Sequence, residues 1–112
     1  MTYTIPMIPP SLNQFAGRKN VWQYRELKAE WLNIVAVYCR PRPAEPLTGV
    51  TVEITYYFPT RTRHDPDNFN GKMILDGLVK CGILKDDSFN CINLVLKGGY
   101  DKDNPRTIIN IT

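Results

Sequence analysis

The stretch "TGVTVEITYYF", Thr48 to Phe58, decides the fold. Val50, Val52, Ile54, Tyr56 and Phe58 fall on one side of an extended chain, and Thr51, Glu53, Thr55 and Tyr57 on the other. A period of two predicts a strand with one buried face. Pro59 has no N–H to give a ladder, so it ends the strand. The period then changes. In "FNGKMILDGLVKCG", Phe69 to Gly82, residues Ile74, Leu75, Leu78 and Cys81 recur at helical steps. Asn68, Lys72, Asp76 and Lys80 step along the opposite face, which leaves Phe69 and Met73 near the polar stripe and off the core face, meeting a partner subunit or a neighbouring loop, or simply packing locally. Gly82 is placed as the C-terminal cap, and Lys80 complements that end of the helix dipole.

Outward from this strand-and-helix unit the remaining elements follow. Tyr24, Leu27, Trp31, Ile34, Val35 and Tyr38 form an apolar stripe that predicts a long helix over Val21 to Cys39. The three prolines of "RPRPAEPLTG" make the next segment a linker. Thr2 to Met7 reads as a short strand, stopped by "IPPSLN". Downstream, "ILKDDSF" is a loop, and "NCINLVLKGGY" is a strand with Ile92, Leu94 and Leu96 on one face. Gly98-Gly99 and "DKDNP" are expected to form a long turn before a last strand, "RTIINIT". The order β-α-β-α-β-β predicts a single α+β (mixed α/β) domain over residues 1–112, with helices packed on a mixed sheet.

A chain of 112 residues buries a real core with a thin margin, so a dimer is a natural expectation. Hydrophobic residues at 43% and charged residues at 22% exclude a disordered chain. The net charge of +3 permits a polyanionic partner without requiring one. Cys39, Cys81 and Cys91 are odd in number and form no CxxC pair, which suits reduced thiols in a cytoplasmic protein. No apolar run and no basic leader predicts a signal peptide or a membrane span.

Between the central strand and the second helix lies "RHDPDNFNGK", Arg63 to Lys72. Three readings fit it. Asp and Asn before an apolar-periodic run suit a helix N-terminus, and Asp-Pro-Asp-Asn is good turn chemistry. A calcium loop would start at Asp65 and Asp67, but Phe69 then takes a ligand position and Asn70 the position that needs glycine. The third reading is a divalent-metal phosphodiesterase site. Mg²⁺ takes hard oxygen ligands and binds through one or two carboxylates plus substrate phosphate. Pro66 restricts the backbone between Asp65 and Asp67, and Lys72 lies one turn past Asn68, in reach of a phosphate oxygen or of Asp76. Asp86-Asp87 offers a further carboxylate or a solvated turn; spacing alone does not bring Asp87 to Asp67.

These residues, in this order, resemble the RusA-type crossover-junction endodeoxyribonucleases, the Holliday junction resolvases of bacteria and their phages. The likeness includes "PPSLN", a strand ending in proline, "RTR", "DPDN", "ILDGLVKCGILKDDS" and the closing "RTIINIT". The resemblance implies that Asp65, Asp67 and Asp87 are the catalytic, metal-binding aspartates and Lys72 the catalytic lysine. One extra residue, at Asn70 or Gly71, separates Lys72 from the Asp-Asn pair; it either lengthens the lead into the helix or displaces the lysine. Asp86 either assists or shapes the turn; His64 is either an additional ligand or base or, as the family site needs no histidine, polar loop surface. The resemblance further implies a homodimer using Mg²⁺, or Mn²⁺ in its place. Such a dimer would nick branched double-stranded DNA symmetrically at a four-way junction, leaving 5′-phosphate and 3′-hydroxyl ends. Arg61, Arg63, Arg18 and Lys19 are the expected phosphate contacts. The rivals are a non-catalytic junction-binding dimer and a nuclease for other branched DNA.

Overall fold

The computed structural model describes residues 1–12 and 21–112. The elements are β1 (Thr2–Ile5), α1 (Val21–Tyr38), β2 (Val50–Phe58), α2 (Lys72–Lys80), β3 (Ile92–Tyr100) and β4 (Arg106–Ile111). They form one compact α+β domain in the order β-α-β-α-β-β. The four strands lie in the order β1-β4-β2-β3. β4 is antiparallel to both its neighbours, and β2 is parallel to β3 with Ile54 opposite Leu96. The sheet is therefore mixed, and α2 is the crossover that a parallel β2–β3 pair requires.

One face of the sheet is buried. Tyr3 and Ile5, Ile109 and Ile111, and Val52, Ile54, Tyr56 and Phe58 all point into it, as the period of two in β2 predicts. α2 contributes Met73, Ile74, Leu75 and Leu78 to the same core, and α1 contributes Trp31 and Val35. The helices cross closely at Gly77, where an added Cβ would stand 2.7 Å from the side chain of Val35. The single buried polar side chain described, Thr107, donates to the Met7 carbonyl at 2.8 Å, so its burial leaves no hydroxyl unpaired.

Three expectations are corrected. Met73 is buried, 4% exposed, because α2 sinks a face wide enough to take it as well as Ile74. Tyr38 is 40% exposed; the last core position of the α1 stripe is filled by Cys39, just past the helix end. Gly98 and Gly99 do not turn but continue β3, opposite Tyr56 and Tyr57. The ring of Tyr57 lies so close to Gly99 that a Cβ there would meet it at 2.8 Å, so the glycine serves packing.

The linker is ordered against the rest. Leu47 and Leu84 form a parallel bridge, with Leu47 N–H donating to the Ile83 carbonyl and Lys85 N–H to the Leu47 carbonyl. Among the described residues no helix is long and apolar enough to cross a membrane.

Candidate active site

The first acidic loop starts where β2 ends. Phe58 is held under the sheet, and the imidazole of His64 stacks on it with centroids 3.7 Å apart and planes 4° apart. Phe69 meets both rings edge-on, at 5.0 Å from Phe58 and 5.7 Å from His64. His64 is thus part of an aromatic cluster and not merely polar surface. Phe69 packs into the same cluster and against Tyr56, so the local packing is formed.

Within this frame the Asp65 carbonyl accepts from the N–H groups of Asn68 and Phe69. That makes Asp-Pro-Asp-Asn a closed turn well ahead of the helix. The helix is capped elsewhere: the Asn70 side chain accepts from Lys72 N–H at 3.0 Å, and Gly71 is the N-cap with φ +81°. Asn70 and Gly71 thus form the turn that leads into α2 at Lys72. Gly71 is buried, and a Cβ on it would lie 3.0 Å from Ile54 Cδ1. Its N–H also bonds the Tyr56 hydroxyl, whose pKa is nevertheless pushed upward, chiefly by burial.

Asp65 accepts a hydrogen bond from Arg63 Nε at 2.9 Å, and this bond, with the added field of Asp65 and Asp67, raises the arginine's pKa. Asp65 and Arg63 line an open groove of about 710 Å³ together with Ser11, His64 and Asn68. Pro9 and Pro10 form part of the same groove. Leu12 N–H donates to the Asn68 carbonyl at 3.0 Å, so the "PPSL" segment is tied directly to the aspartate turn. Arg61 lies over the ring of Tyr100 at 4.5 Å, a cation–π contact beside that turn. Arg18 and Lys19 lie outside the described residues.

Lys72 donates from Nζ to Asp76 at 3.2 Å, and Asp76 also pairs with Lys28 of α1 at 3.5 Å. The pKa of Lys72 is raised, first by its hydrogen bond to Asp76, then by the field of Asp76, and further by that of Asp87. The fold therefore brings Asp87 within electrostatic reach of Lys72. The i,i+4 pair with Asp76, one of the two readings of Lys72, is formed. Asp86 and Asp87 lie just before a turn in which the Ser88 carbonyl accepts from Cys91 and Ile92 N–H. Asp86 is exposed and Asp87 half-buried.

Among the described residues, no three His, Cys, Asp or Glu side chains stand close enough to hold one ion by themselves. Asp65, Asp67 and Asp87 thus do not form a closed cage as they stand. Their hard oxygens still suit Mg²⁺, which needs only one or two carboxylates when a phosphate and waters complete its shell. Two groups escaped the sequence reading. Lys28 falls on the polar side of the first helix and Phe58 in the strand pattern, and neither position points to a site.

A scan of the sequence against protein-family models finds no match, and a search of curated proteins finds none either.

Proposed function

We propose that this chain is a divalent-metal-dependent, structure-selective endodeoxyribonuclease of the RusA type. It acts as a homodimer on four-way DNA junctions and places paired symmetric nicks in recombination and repair. The observation that carries the reading is a convergence. The "PPSL" segment is hydrogen-bonded to the Asp65–Asn68 turn through Leu12 and Asn68, and Lys72, just past that turn, lies in the field of Asp87. Segments far apart in sequence, each part of the resemblance, are thus neighbours: the first pair across a hydrogen bond and the second through an electrostatic field, which supports the reading.

Asp65, Asp67 and Asp87 would supply the carboxylates, one or two to an ion, for Mg²⁺ or Mn²⁺, which when bound would supply positive charge to the scissile phosphate and acidify a coordinated water. Lys72 adds charge where the transition state gains it. Arg61 and Arg63, with Arg18 and Lys19, hold the flanking phosphates, which positions the strand without reading its sequence.

The test is a nicking assay on a synthetic four-way junction, with and without Mg²⁺, beside three-way and flap substrates. Paired nicks in Mg²⁺ alone, fastest on the four-way junction, are expected. Asp65→Asn and Asp87→Asn should lower the rate by about a thousandfold or more, while junction binding persists. Binding without nicking would establish the non-catalytic rival, and a faster rate on flaps would change the substrate. Undiminished cleavage by either variant ends the assignment of that carboxylate.

A further inference from the structure

Asp76 is the inner member of a three-residue cluster. Its side chain is 23% exposed, against 51% for Lys72 and 38% for Lys28. Each carboxylate oxygen faces one lysine: Oδ1 meets Lys72 Nζ at 3.2 Å and Oδ2 meets Lys28 Nζ at 3.5 Å. One negative charge thus gathers two positive ones, from two helices, on its solvent side. The cluster keeps a net positive charge, and Asp87 lies near enough to act on Lys72. Lys28 also approaches the ring of Tyr24 at 6.0 Å, which restrains its stem.

An exposed tether between helices contributes little to stability, so helix packing alone is a weak reason for this arrangement. Two compact ammonium groups held side by side are well suited to the two non-bridging oxygens of one phosphodiester. We propose that Lys28 is a second phosphate-binding lysine of the site, held beside Lys72 by the shared carboxylate of Asp76, which is a positioning residue for both. The ligand is a backbone phosphate of the DNA strand, and the inference rests on the nuclease reading above.

The experiment measures binding of the full-length protein to a labelled four-way junction across a range of salt. Lys28→Met should reduce the slope of log affinity against log salt by about one, the share of a single phosphate contact. Lys28→Arg should restore it, because it returns the charge without the native stem. Lys28→Gln serves in place of Lys28→Met if that variant does not fold. Asp76→Asn should keep the slope yet lower the single-turnover nicking rate by about tenfold, with KM nearly unchanged. An unchanged slope in Lys28→Met, or no recovery in Lys28→Arg, overturns the assignment of Lys28. A wild-type rate in Asp76→Asn overturns the positioning role. A wild-type protein that binds with no salt dependence overturns the nuclease reading and this inference together.

Discussion

The two loops that carry the acidic residues are built by different means. The loop between β2 and α2, with Asp65 and Asp67, stands on side chains: Phe58, His64 and Phe69 interlock beneath it. The loop between α2 and β3, with Asp86 and Asp87, stands on backbone. It is pinned by the Leu47–Leu84 bridge at one end and by the Ser88 carbonyl at the other. Its one large apolar side chain past that bridge, Phe89, is fully exposed and supports nothing. Aromatic packing holds a loop firmly but makes it depend on a few rings. A backbone-pinned turn tolerates side-chain change but leaves Asp86 exposed and Asp87 only half-buried.

The contrast predicts unequal responses to substitution. Phe58→Ala removes a ring that is 7% exposed and is the floor of the first loop. Thermal or urea unfolding should show a loss of about 3–5 kcal/mol. Nicking should fall further than stability accounts for, since Asp65 loses its support. A loss under about 1 kcal/mol would mean that the first loop does not rest on that ring.

Gly71→Ala comes next. Alanine is strained at φ +81°, and its methyl would press on Ile54 Cδ1 at 3.0 Å. The expected cost is about 1–3 kcal/mol, read from the denaturation midpoint. The same turn aims Lys72, so the nicking rate should drop together with stability. A variant as stable as the parent would show that the turn is free to rearrange.

Much of this was legible in the sequence because periodicity records which face is buried. The alternation of β2 and the helical steps of α2 each announced their core residues, and Gly82 announced its positive φ as a helix stop. The parts that escaped depend on contacts between distant residues. Nothing local marks His64 as a partner of Phe58, or Lys28 as a partner of Asp76. Gly98-Gly99 looked like a turn because glycine is a local turn signal, and only the ring of Tyr57, one strand away, explains it as strand. Aspartates near a helix suggested caps, but Asn70 does that work and releases them.

The three thiols offer a subtler readout of the second loop. Cys81 and Cys91 flank it and are partly exposed, while Cys39 is fully buried. Burial, aided by the field of Cys81, pushes the Cys39 thiol up to about 12 from 9.0. A thiol that stays neutral in the folded state but ionises at 9.0 when unfolded favours folding fully below that pH. That contribution is lost as pH rises from 9.0 through about 12. At pH 8.5, iodoacetamide should label Cys81 and Cys91 and leave Cys39 untouched until the chain unfolds. Labelling of Cys39 at the rate of the other two would contradict its burial.

The smallest effect is expected at Phe89. Its ring is fully exposed, at the tip of a turn closed by the Ser88 carbonyl, and it packs against no core residue. Phe89→Ala should therefore change stability by no more than about 0.5 kcal/mol, against the large loss at Phe58. The backbone bonds that shape the turn are independent of the ring, so Asp87 should keep its place near Lys72 and the nicking rate should hold. A midpoint shift comparable to that of Phe58→Ala would show that the second loop also leans on an aromatic side chain, and the difference between the two loops would disappear.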